Sequence, residues 1–103
     1  MKIELFYFDD CPHYEKAKEN LEQALKELDI EEKIELVKID NQEMAREKKF
    51  IGSPTIRIND KDIDPLAENA TSYGFTCRNY FSDKGLTGWP DVEMIKEAIK
   101  SSK

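Results

Sequence analysis

Cysteine, histidine, glycine and proline are all scarce in this 103-residue chain. It has two cysteines (Cys11 and Cys77), one histidine, four glycines and four prolines. Two cysteines are too few for a secreted disulfide scaffold. With no Cys-x-x-Cys pair and no histidine cluster, a structural zinc site is not expected. No apolar run approaches the ~20 residues of a membrane helix. The opening Met1-Lys2-Ile3-Glu4-Leu5 lacks the long apolar stretch of a signal peptide, so a cytoplasmic address and no membrane partner are expected. Positive charge is also short: 16 Lys+Arg against 22 Asp+Glu leave a net charge of −6. Such a chain has no general attraction to phosphate backbones, and nucleic acid is not an expected partner.

What is present is charge and periodic apolar residues. Charged residues make up 37%, hydrophobic residues 39% and aromatics 10%; with apolar positions this regular, disorder is excluded. Length allows one domain, residues 1–103, with no repeat or linker. Ile3 to Phe8 is a nearly continuous apolar run and reads as a strand buried on both faces. Tyr14, Ala17, Leu21, Ala24, Leu25 and Leu28 mark one face of a helix over 12–28, with Pro12 at its first position. Residues 34–39 read as a second strand. A short helix over 41–50 follows, capped by Asp40 with Glu43 and stopped by Gly52-Ser53-Pro54. Thr55 to Ile58 alternates as a third strand. Asn59 to Asp62 is a turn, and a returning strand begins at Ile63. Residues 76–81 read as a further short strand, Gly85 to Pro90 as a loop, and Val92, Ile95 and Ile99 as a closing helix. The order β-α-β-α-β-β-α predicts an α/β fold. Its mixed four- to five-stranded sheet is flanked by helices on both faces, with residues 3–8 central.

The chemistry concentrates at Cys11-Pro12-His13-Tyr14, between a buried strand and an amphipathic helix. Free N–H groups and the positive dipole end at a helix N-terminus favour a thiolate, while Asp9 and Asp10 oppose it. Cys11 is a nucleophile candidate, against the plainer reading of a packed cysteine. His13 is either an acid/base partner or an exposed helix residue. Pro54, directly before a strand, is a candidate cis proline.

Taken together, Cys11 after the first strand and Pro54 before the third resemble the thioredoxin-like superfamily. More narrowly, Tyr7 to Pro12, Gly52 to Asn59, Asp62 to Pro65 and Tyr73 to Tyr80 resemble the small thioredoxin-like proteins labelled alkylmercury-lyase-like or selenoprotein-related. The resemblance implies a thioredoxin-like fold with Cys11 as nucleophile and a cis Ser53–Pro54 bond beside it. It implies that Pro12, Tyr14, Ser53, Pro54 and Thr55 meet the substrate. Arg78, beside Cys77, is a candidate to stabilise a thiolate or bind an anionic substrate, against the plainer reading of a solvated ion-pair partner. Where redox relatives carry a second cysteine, this chain has Tyr14. A monothiol route remains open, with Cys77 as the resolving partner or, on the plainer reading, a buried strand cysteine. The activity expected is thiol–disulfide exchange on a thiol or disulfide substrate, protein or small molecule, with no cofactor. Soft-metal or organomercurial binding through Cys11 and Cys77 and a redox-inert binding domain are the alternatives.

Overall fold

The computed structural model describes residues 1–9, 11, 13–64, 67, 73–74, 78–82 and 85–102. In chain order these form β1 (Ile3–Tyr7), α1 (Tyr14–Glu27), β2 (Ile34–Lys38), α2 (Gln42–Glu47), β3 (Thr55–Ile58), β4 (Lys61–Asp62), β5 (Tyr80–Ser82), β6 (Gly85–Thr87) and α3 (Val92–Ser101). Four strands make one mixed sheet in the order β2-β1-β3-β4. β1 runs parallel to β2 and antiparallel to β3, and β3 is antiparallel to β4. The near-continuous apolar run of β1 therefore occupies a central position covered on both faces, as its lack of alternation requires.

Strand periodicity sorts the core into two layers. Ile3 and Leu5 point to one face opposite Ile58 and Ile56, and Phe6 to the other opposite Thr55. On the first face Ala17, Leu21, Ala24 and Leu25 of α1 join Ile95 and Ile99 of α3 over the sheet. On the second, Ala45 of α2, Ile39 and Phe50 close over Phe6. Helices thus lie on both faces. Each fully buried Leu, Ile or Phe stabilises the fold by roughly 1.5–3 kcal/mol. α1 contains no glycine, proline or β-branched residue from Tyr14 to Glu27, which suits an uninterrupted helix.

Several local expectations are corrected. α1 starts at Tyr14, two residues late. α2 is capped by Asn41, whose side chain accepts from the Met44 N–H at 2.8 Å, not by Asp40. α2 ends before Gly52: Lys49 takes φ 55° and the Phe50 N–H bonds to the Ala45 carbonyl. This is a Schellman ending without glycine. Complete burial of Phe50 offsets the left-handed strain at Lys49. α1 ends the same way, through Asp29 at φ 55° and Ile30 bonded back to Leu25. The β3–β4 turn is confined to Asn59 and Asp60, both at positive φ, as a two-residue hairpin requires; Lys61 and Asp62 belong to β4. The expected strand over 76–81 is found at Tyr80–Ser82, and 76–77 lie outside the described residues. It does not join the sheet but pairs with β6, so part of the expected Gly85–Pro90 loop is strand. No helix among the described residues is long and apolar enough to cross a membrane.

Candidate functional site

The register Phe6↔Thr55 sets the C-terminal end of β1 beside the N-terminal end of β3. The turn after β1 and the segment before β3 therefore meet at one end of the sheet. Cys11 lies on that turn, its N–H bonded to the Phe8 carbonyl at 3.1 Å, its thiol free and the residue 4% exposed. His13 is the N-cap residue of α1, but its side chain makes no capping bond. The imidazole instead packs against Trp89, with ring centroids 5.3 Å apart. Gly88 passes so close that an added Cβ would stand 2.4 Å from His13 Cδ2. The Asn20 side chain donates to the Pro90 carbonyl at 2.9 Å, pinning the 88–90 segment to α1. Tyr14 stacks on Tyr7, centroids 4.4 Å apart.

Across the end of the sheet, the Ser53–Pro54 peptide is cis, as the sequence led us to expect. The backbone groups of this segment are held by residues far away in sequence. The Ser53 carbonyl accepts from the Arg78 N–H at 3.0 Å, and the Pro54 carbonyl accepts from the Tyr80 hydroxyl. The Thr55 hydroxyl donates to the Gly52 carbonyl. Ser53 Oγ is buried and has no hydrogen-bond partner among the described residues. Burial drives the Tyr80 phenol above its ordinary value, and Cys11 is among the groups that add to the rise.

Arg78 is buried, where an anion clamp would present its fork to solvent. Its guanidinium grips Asp62 through two contacts of 2.7 and 3.2 Å, donates to Thr55 Oγ1 at 3.1 Å and stacks over the Tyr80 ring. Burial, the largest influence on the guanidinium, pulls its pKa down; Tyr80, Asp62 and Asp64 outweigh that, and the net shift is upward. The bidentate pair ties β4, Thr55 and the segment entering β5 into one unit beneath Pro54.

The structure brings Cys11, Ser53, Pro54 and Thr55 to one end of the sheet, sets His13 and Tyr14 at the start of α1, and places Arg78 under Thr55. Pro12 and Cys77 lie outside the described residues. Sequence reasoning missed Asp62, Tyr80, Gly88 and Trp89 as supports. Asp62 falls in the stretch that reads as a turn, and no local spacing distinguishes Tyr80, Gly88 or Trp89 as supports. Among the described residues no group of three or more His, Cys, Asp or Glu side chains could hold a metal ion. No curated protein and no solved structure matches the chain. The family model described as "Domain of unknown function (DUF2703)" matches residues 12–99, most of the chain, which belongs to that family.

Proposed function

We propose that this chain is a thioredoxin-like thiol–disulfide oxidoreductase in which Cys11 is the attacking thiolate. The observation that carries the reading is the position of Cys11. It sits on the strand-to-helix turn at the C-terminal end of central strand β1, at the sheet end where Pro54 enters β3. The strand order β2-β1-β3-β4, with β1 parallel to β2 and the other two strands antiparallel, supports the same reading.

The chemistry is two-step exchange. The Cys11 thiolate attacks one sulfur of a substrate disulfide, forming a Cys11–substrate disulfide and expelling the other sulfur as a thiolate. His13 supplies the proton that converts this leaving thiolate to a thiol. Cys77 then attacks the Cys11 sulfur, releasing the substrate's second thiol and leaving a Cys11–Cys77 disulfide; an external thiol does the same intermolecularly. Ser53, Pro54 and Thr55 form the wall against which the substrate lies. Tyr14, fixed by its stack on Tyr7, occupies the place of a local resolving thiol, so resolution falls to a distant or external sulfur. Arg78 acts as a positioning residue for the Pro54 segment.

The test is incubation of the folded protein with 2,2′-dithiodipyridine and with glutathione disulfide, followed by mass spectrometry of non-reduced digests. The expected result is attack at Cys11, lost in Cys11→Ser, with stable mixed disulfides accumulating in Cys77→Ser. Protection of Cys11 in the folded protein, with reaction only after denaturation, would overturn the proposal.

A further inference from the structure

We infer that the β5–β6 hairpin is a docking element for a polypeptide, so that the substrate class of the Cys11 site is protein. The inference rests on the reading of Cys11 as a redox thiol. Phe81 and Leu86 are directly opposed in the hairpin register, so their side chains lie together on one face. They are 78% and 63% exposed. The neighbouring Tyr80, on the other face, is buried in the main core and donates to the Pro54 carbonyl. The hairpin is thus rooted in the molecule through one face while its other face presents two large apolar side chains to water.

Both strands of the hairpin adjoin the candidate site. β5 begins at Tyr80, bonded to Pro54, and β6 leads through Gly88 onto the His13 ring. A chain whose sulfur reaches Cys11 has this apolar face beside its path. Size selects the occupant. The pair offers on the order of 250 Å² of apolar surface, well below the ~800 Å² per partner of a stable interface. That is too little for a permanent dimer of this chain. It suits one edge of the small, transient footprint typical of redox encounters, completed by the half-buried Trp89 and Tyr14 at the site itself. A small thiol, with no chain to lay along the hairpin, gains nothing from this apolar face.

The test uses the full chain and the insulin B chain with its thiols carboxymethylated, a probe incapable of exchange. Binding is measured by fluorescence anisotropy on labelled B chain. The wild type is expected to bind, and Phe81→Ser/Leu86→Ser to bind at least tenfold more weakly. Phe81→Leu, which keeps the apolar face, should retain affinity within about threefold. Reaction of Cys11 with 2,2′-dithiodipyridine should be unchanged in all variants. Equal binding by the wild type and the double variant, or none by either, overturns the inference. So does a wild-type dimer in sedimentation velocity that the double variant abolishes, which would assign the face to a second copy. Because the binding arm involves no thiol chemistry, inert Cys11 in the dithiodipyridine arm would overturn the oxidoreductase reading separately.

Discussion

Replacing Gly88 by alanine tests whether the His13 imidazole is held in place by design of the fold. The new Cβ would stand 2.4 Å from His13 Cδ2 and 2.9 Å from both Cγ and Nε2, distances that no relaxed carbon contact reaches. The backbone at Gly88 is not in the left-handed region, so the perturbation is one of space alone. Two responses are open. The 88–90 segment can move, but it is anchored by the Asn20 bond to Pro90 and by the Thr87 hydroxyl on the Trp89 carbonyl. The imidazole can instead swing out, losing its packing on Trp89. The second is cheaper: an off-rotamer or displaced ring costs about 0.5–1.5 kcal/mol, whereas overpacking an anchored segment costs about 1–3 kcal/mol. Gly88→Ala should therefore lower stability by about 1 kcal/mol and separate His13 from Trp89. The chain has one tryptophan and one histidine, which makes the separation directly observable. Loss of the imidazole from the indole exposes Trp89 to more water, so its emission should move to longer wavelength in Gly88→Ala. His13→Gln should behave like Gly88→Ala. If His13 donates the proton to the leaving thiolate, Gly88→Ala should also slow exchange at Cys11 by tenfold or more. Identical Trp89 emission and identical exchange rates in wild type and Gly88→Ala would refute the reasoning.

Asp62→Asn removes the bidentate carboxylate from buried Arg78, leaving Asp64 at 3.8 Å, and should cost about 1.5–3 kcal/mol, seen as a lower urea midpoint; a change under 0.5 kcal/mol would show the pair to be dispensable. Tyr80 makes stability fall with alkali. Its folded pKa lies above the ordinary value of 10.0, so above pH 10 only the unfolded state releases the proton. The loss should approach about 1.4 kcal/mol per pH unit, and the difference between wild type and Tyr80→Phe in denaturation at pH 9 to 11 measures it. Asn41→Ala should cost about 0.5–2 kcal/mol as a lost helix cap, while Asp40→Ala, which loses an exposed contact to Lys38, should change stability by under 0.5 kcal/mol; the reverse order in thermal melts would return the cap to Asp40.

How much of this was legible in the sequence depends on whether a feature is written locally. β1 announced its central place because six consecutive residues carry almost no polar interruption. α1 and α3 announced themselves by apolar spacing: of the residues so marked, Ala17, Leu21, Ala24, Leu25, Ile95 and Ile99 are buried, and Tyr14, Leu28 and Val92 are half-buried. That Cys11 and the Pro54 segment share one end of the sheet was implied by the family resemblance, and the antiparallel register of β1 and β3 places them there. The end of α2 was misread because the usual residue is missing. Lys49 adopts the conformation that glycine signals because burial of Phe50 one residue later outweighs the local strain. The β5–β6 hairpin was hidden by its brevity: three residues per strand are too few for alternation to show.

The sequence by itself determined the α/β order of elements, the two-faced core of the sheet and the strand-to-helix setting of Cys11, because each is set by spacing over a few residues. Only the tertiary structure decided which side chains support that setting. Arg78 finds Asp62 sixteen positions away and Thr55 twenty-three away, and His13 rests on Trp89 from the far end of the chain. Local periodicity fixes the face on which a side chain lies, whereas the partner it meets there is chosen by how the sheet and helices pack, and nothing in the neighbouring residues encodes that choice.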